Sequence, residues 1–410
     1  MKAAFLFPGQ GSQRKRMGHD WAAGFPIARQ TFEEASEILG YDVLALCLGD
    51  DPKFSQTEYT QPLLVAVSTA IARVVKSELS EVVPEIVAGH SAGEFSALVA
   101  AGALEFGDAL RLVRRRGQLM QLAMPEGVGT MASVYGLSAE VVEDTCAGQM
   151  DAVIATYNTR DQFVISGKVH AVKTLGEALT KRGAVVQALD ISIPAHSTFM
   201  QSAMDALRPE IHGHLLEARI PLLSNRDANL YQEADDLERI VLEQLVRPVR
   251  WSDCMRSIAE SNVQVVIECG PGTVLRDLFR AEHTGVRVFS LTSPNVLPSI
   301  RSIGAPVLAT STTTRGVLGA CLRACASSKN DSSDQNRYAV DVAGAYRKLL
   351  TMYREVPEGS WDEAMIREGL ELLRRHLKGK RLSREVAENR LRNVIVSCRV
   401  ESIADDFLTS

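Results

Sequence analysis

No run of about 18 apolar residues occurs anywhere in the 410-residue chain, so no membrane-spanning helix is expected. The opening Met1-Lys2-Ala3-Ala4-Phe5-Leu6-Phe7-Pro8-Gly9 is too short in its apolar stretch for a signal peptide. It ends in a polar, glycine-rich turn and reads as a first, buried strand. An excess of one charge is also missing. The net charge of −5 gives no reason to expect a nucleic-acid or membrane-surface partner. The seven cysteines are scattered, odd in number and without a C-x-x-C pair, which points to a reduced, cytoplasmic protein with structural thiols. Cys321 and Cys325 fall four apart in a helical pattern, but no histidine near them in sequence completes a zinc site, so no metal is expected. No tandem repeat is present.

What is there is a large apolar content, 46%, over a length that accommodates two or more domains. Residues 1–126 alternate short apolar runs with longer helical patterns, the mark of an α/β layer fold. From 127 to 195 the rhythm changes to strand (Thr130–Tyr135), helix (Ser138–Cys146), two strands (Ala152–Thr156, Phe163–Ser166), helix (Ala171–Arg182) and strand (Ala184–Leu189). That β-α-β-β-α-β order is the ferredoxin-like split motif and predicts an inserted small domain. Residues 196–297 return to α/β character, with a strand at Ile220–Leu223 and another at Val263–Glu268. The expected fold is thus an α/β-hydrolase-like large domain, 1–126 with 196–297, holding a ferredoxin-like insertion. Residues 298–336 read as a linker, above all the polar Ser327–Asn336. Residues 337–410 read as a mainly helical extension of three helices. The middle one opens with a Ser360/Glu363 capping-box spacing and continues with Ile366, Leu370, Leu373 and Leu377 on one face.

Chemistry enters at Gly89-His90-Ser91-Ala92-Gly93-Glu94. An apolar strand runs into it and an Ala/Leu-rich helical segment follows, the strand–turn–helix setting of a G-x-S-x-G elbow, which predicts acyl transfer through a serine ester. Ser91 needs a base. His19, His170, His212, His214, His283 and His376 lie in polar or helical contexts expected at the surface, and His90 diverges from Ser91 in a tight turn. His196, where an extended segment meets a proline-shaped turn, is the candidate base; a satisfied loop histidine is the competing reading. Arg116 falls in the apolar stripe Ala109, Leu112, Val113, Leu119, Met120, Ala123, away from Arg111, Arg114 and Arg115. A charge there is a buried ion pair, a snorkelling side chain, or a guanidinium awaiting a substrate carboxylate. Phe7-Pro8-Gly9-Gln10-Gly11-Ser12-Gln13 exposes backbone N–H groups at a strand end, as an oxyanion hole requires. It lacks the G-K-[ST] ending and the G-x-G-x-x-G spacing, which excludes a nucleotide loop.

From Met1 to Leu297 the chain resembles the malonyl-CoA:acyl carrier protein transacylases, which include the acyltransferase domains of fatty-acid and polyketide synthases. The Gln10 loop, Thr60-Gln61-Pro62, the elbow, Arg116-Gly117 with Met120-Gln121, and Asn158 and Gln162 ahead of Val164-Ile165-Ser166-Gly167 occur in family order. Pro194-Ala195-His196, Ser224-Asn225, Pro248-Val249-Arg250-Trp251 and Glu268-Cys269-Gly270-Pro271-Gly272 complete the series. The resemblance implies Ser91 as nucleophile and His196 as base, oriented by the carbonyl of Gln244. It implies an oxyanion hole at the N–H groups of Gln10 and Ala92, with Arg116 on the malonyl carboxylate and Met120 against the acyl group. It further implies malonyl-CoA and a holo acyl carrier protein as partners and no cofactor, the CoA thioester being substrate.

Three features depart from the family pattern. Ala92 stands where leucine is commonest. Ile193-Pro194-Ala195-His196 matches neither the malonyl nor the methylmalonyl signature of synthase domains, and a basic Arg14-Lys15-Arg16 precedes Met17-Gly18. Alternative functions are the malonyl-transferring subunit of a malonate decarboxylase and an editing acyl hydrolase with the same dyad. The helical extension suggests service to a polyketide-type or other specialised carrier protein.

Overall fold

Lys2–Phe7 forms β1, buried on both faces from Ala3 onward. Such a run, apolar without alternation, suits a strand covered on both sides in a parallel sheet. Its neighbour β2, Val83–Gly89, is parallel to it, with Phe7 opposite Gly89. The computed structural model describes residues 1–125, 127–304, 313–326, 338–357, 360–380, 384–398 and 400. It divides into two units, 1–304 and 305–410.

The first unit is mixed α/β. After β2 the chain makes β3 (Gly129–Tyr135), β4 (Ala152–Tyr157), β5 (Gln162–Lys168) and β6 (Val185–Ala188), then β7 (Leu222–Leu223), β8 (Leu230–Tyr231), β9 (Val265–Glu268) and β10 (Arg287–Ser290). The larger sheet runs β10-β9-β1-β2-β7-β8, parallel except for β8. Its two central strands, β1 and β2, end side by side, so the Gln10 loop and the serine elbow leave the sheet together. Ligand sites of open parallel sheets lie at such carboxyl ends.

The smaller sheet is antiparallel in the order β4-β5-β3-β6, with helices Ala139–Cys146 and Val169–Lys181 between its strands. Val134, Val142, Phe163, Ile165, Leu175 and Leu179 give it a core of its own. A bridge from Thr156 to Val249 ties it to the larger part, with Val249 N–H donating to Ala155 O at 2.9 Å.

The second unit holds helices Thr314–Ala326, Gly344–Glu355 (entered through a π-helical Tyr338–Ala343), Glu363–Gly379 and Arg384–Cys398. Val317, Leu318, Cys321, Leu349, Leu370, Leu373 and Ile395 form its core. Three expectations are corrected here. The stretch 298–336 is not simply a linker. Helix Leu297–Gly304 finishes the first unit and Thr314–Ala326 belongs to the second, because Val317, Leu318, Cys321 and Cys325 recur on one helical face. Ser327–Asn336 itself lies outside the described residues. The cap of the Glu363 helix is Asp362, whose side chain accepts the Met365 N–H at 3.0 Å, while the Ser360 hydroxyl donates to Pro357 O. His376 is buried, not at the surface. It sits on the stripe with Leu373 and Leu377, its ring nitrogens against the carbonyls of Val342 and Cys325.

Candidate active site

The elbow begins where β2 runs out of room for side chains. A Cβ on Gly89 would lie 2.1 Å from Gly93 C, and one on Gly93 would lie 2.1 Å from Phe7 O. Between these glycines Ser91 takes a left-handed φ of 52°, a conformation that non-glycine residues hold only when their surroundings impose it. The surroundings are visible. Ser91 N–H donates to Asn225 Oδ1 at 2.8 Å, and Asn225 Nδ2 donates to Gly89 O at 2.6 Å. Helix Gly93–Ala101 follows.

His196 is also left-handed, with φ 59°. Its Nε2 lies 2.8 Å from Ser91 Oγ, and its Nδ1 lies 2.8 Å from the Gln244 carbonyl. A carbonyl only accepts, so Nδ1 carries the proton and Nε2 is free to take the serine's. Burial, then the charge of Arg116, lowers the His196 pKa to about 3, so the ring is neutral at physiological pH. His90 is occupied elsewhere. Its Nε2 is 3.0 Å from Asn158 Oδ1 and its ring meets Trp251 edge-on at 5.3 Å.

Arg116 sits on helix Phe106–Leu122 and is 1% exposed. Arg111, Arg114 and Arg115 pair with Asp108, Glu58 and Glu210. Among the described residues no carboxylate pairs with Arg116. Instead it donates to Gln61 Oε1 and Gln244 Oε1, each at 2.8 Å, and its Nε has no acceptor. Burial lowers its pKa to about 10, opposed by Glu94, so it remains a cation at neutral pH. Glu94 is wholly buried, and that burial raises its pKa to about 8 against the hydrogen bonds from Asn225 N–H and Gln244 Nε2.

Gln10, Gln61, Ser91, Arg116, Met120 and His196 line one cavity of about 100 Å³, walled on the inserted side by Met131, Val164 and Ile193. Met120 is buried there, with Gln61 Nε2 3.8 Å from its sulfur. Ser12 N–H and Oγ both donate to Gly9 O, at 3.2 and 2.7 Å, and fix the turn that carries Gln10. Among the described residues no acceptor takes the N–H of Gln10 or of Ala92. The fold therefore brings Ser91, His196, Arg116, Met120 and Gln10 to one cavity, with Ala92 in the elbow and Gln244 behind the histidine. The basic run is tied to the surface: Arg14 donates to Thr292 O and Lys15 pairs with Asp50.

Sequence reasoning gave no role to the side chains of Gln61, Glu94, Asn225 and Gln244. Glu94 alone left a trace, a carboxyl opening an otherwise apolar helix. Among the described residues no His, Cys, Asp and Glu are gathered as for a metal.

A serine–histidine pair on an elbow, beside a buried cation, is an arrangement that can carry acyl transfer. Residues 4–302 match the acyl transferase domain family. The malonyl CoA-acyl carrier protein transacylase of Haemophilus influenzae is 40% identical over 284 residues, 68% of this chain and 91% of that protein. The malonyl CoA-acyl carrier protein transacylase structure from Coxiella burnetii superposes with a TM-score of 0.71 at 36% identity, covering 74% of this chain and 97% of that one. A type II polyketide malonyl-transacylase, solved in complex with its acyl-carrier protein, gives 0.71 at 37% identity over 74% of this chain and all of that one. The chain belongs to the malonyl-CoA:acyl carrier protein transacylase family.

Proposed function

We propose that the protein moves malonyl groups from CoA to the phosphopantetheine thiol of a holo acyl carrier protein, for fatty-acid or polyketide-type synthesis, through a malonyl-Ser91 ester. The observation that carries this reading is Arg116, a buried cation on the cavity that holds the Ser91 hydroxyl, bound by two neutral amides and, among the described residues, by no carboxylate. A planar guanidinium in that state suits a carboxylate at the far end of the acyl group.

His196 Nε2 takes the Ser91 proton as Oγ attacks the thioester carbon. The N–H groups of Gln10 and Ala92 receive the oxyanion, and the intermediate collapses as the CoA sulfur leaves with the proton from His196. The carrier thiol then gives its proton to His196 and attacks the ester carbonyl, and Ser91 leaves with that proton. The general base contributes roughly 10²–10⁴-fold; loss of one oxyanion donor costs about 3–4 kcal/mol. No cofactor is required beyond the CoA thioester, which is substrate.

The finer fold names belong to this reading: an α/β-hydrolase-like sheet, supported by the strand–elbow–helix unit, and a ferredoxin-like insert, supported by the order β4-β5-β3-β6. A cytoplasmic setting accords with seven scattered cysteines that form no C-x-x-C pair. Among the described residues no helix is long and apolar enough to cross a membrane.

The test is intact mass after incubation with malonyl-, methylmalonyl- and acetyl-CoA, followed by holo carrier proteins. A malonyl adduct on Ser91 that passes to a carrier is expected. Rapid loss of the adduct to free malonate would replace this reading with the hydrolase.

A further inference from the structure

Glu94 touches no part of the cavity, yet both of its oxygens are engaged beneath it. Oε1 accepts the Asn225 N–H at 2.8 Å, and Asn225 in turn holds Ser91 N–H and Gly89 O. Oε2 accepts from Gln244 Nε2, which also donates to Ser91 O at 2.8 Å. The orientation of the Gln244 amide is thereby set twice. Two acceptors face its NH₂, and the donor-only guanidinium of Arg116 faces its oxygen. The backbone carbonyl of the same residue takes His196 Nδ1. One residue thus meets nucleophile backbone, base and cation, and Glu94 joins Ser91 O and Arg116 in setting which way its side chain points.

We infer that Glu94 is a positioning residue for acyl selection: by holding the Gln244 amide it aims Oε1 at Arg116 and keeps the guanidinium set for a substrate carboxylate. This rests on the reading of Arg116 as the malonyl clamp. A carboxylate at position 244 or 61 would fill that clamp from within; the two amides hold it and leave its charge available.

The experiment is kcat/KM for Ser91 acylation by malonyl-CoA and by acetyl-CoA in Glu94→Gln, Gln244→Met and the double variant. Glu94→Gln leaves one oxygen for two donors; with it on the Asn225 N–H, an NH₂ faces the Gln244 NH₂ and Arg116 loses its fixed acceptor. The malonyl value is expected to fall at least about tenfold, the lower end for one charge-assisted hydrogen bond. Acetyl should change less than about threefold. In the Gln244→Met background the same change should alter selectivity less than about twofold, because the arm it acts through is gone. An equal fall for both acyl groups, an undiminished effect in the double variant, or a Glu94→Gln protein that does not fold would each overturn the inference and leave the malonyltransferase reading standing. Failure of the unaltered protein to form a malonyl ester would instead remove that reading.

Discussion

Arg116 reaches the cavity because a glycine follows it. A Cβ on residue 117 would lie 2.8 Å from Glu58 Cα, so Gly117 lets helix Phe106–Leu122 press against helix Thr57–Glu78, where Gln61 waits for the guanidinium. A charge-assisted hydrogen bond contributes about 1.5–3 kcal/mol, and an acetyl group leaves the buried cation without that partner. The malonyl over acetyl preference in kcat/KM is therefore expected to be at least about tenfold. In Arg116→Ala it should vanish or reverse, as competition between the two thioesters would read out; an unchanged ratio sinks the clamp. The same residue contributes to the pH response. The His196 pKa lies below its usual 6.5, at about 3, through burial first and Arg116 second, so the base stays unprotonated well below neutrality. Acylation by malonyl-CoA should show no acid limb near pH 6.5. In Arg116→Ala the limb should move upward, since a positive neighbour that disfavours the imidazolium has gone, while burial still keeps it below the usual value. Rapid-quench acylation across pH is the measurement, and a limb near 6.5 in the unaltered protein would contradict the neutral, buried base.

At the scale of elements, the site exists because β1 and β2 end together. Phe7 stands opposite Gly89, and the turn after each contributes to the same cavity. Close approach is enforced by missing side chains, since Gly93 packs onto Phe7 O. Gly93→Ala should therefore push the elbow off β1 and destabilise the first unit by about 1–3 kcal/mol, the usual range for overpacking. Thermal unfolding and the rate of the Ser91 adduct should fall together. Elements with strong periodicity were legible in the sequence, the β-α-β-β-α-β run to within a few residues. The Thr314–Ala326 helix was hidden because its apolar face is short and abuts the polar Ser327–Asn336. The Glu363 helix was legible along its stripe but not at its cap, since Ser360 and Asp362 both offer a capping oxygen and only backbone geometry chooses between them.

At the scale of the whole molecule, two units keep separate cores. Every described residue that lines the catalytic cavity lies in 1–304. Leu373→Ala, at a wholly buried position of the second unit, is expected to destabilise that unit by about 2–5 kcal/mol. Formation of the malonyl-Ser91 ester should be unaltered. Calorimetry paired with intact mass would check this, and loss of the adduct would tie the second core to the chemistry. A chain cut after residue 304 should still acylate, with any deficit confined to transfer onto the carrier.

The sequence by itself determined the chemistry's vocabulary: a serine in a turn that only small neighbours permit, an arginine misplaced in an apolar stripe, a glycine loop at a strand end. These are local patterns, readable because secondary-structure period and turn sterics act over a few residues. Only the tertiary structure decided how they combine. That His196 meets the Ser91 hydroxyl depends on a contact across 105 positions in the chain, and whether Arg116 is ion-paired or available depends on two amides 55 and 128 positions away. A hydrogen bond has a reach of about 3 Å, so the partners that fix charge and direction at this site are known only once the chain has brought them together.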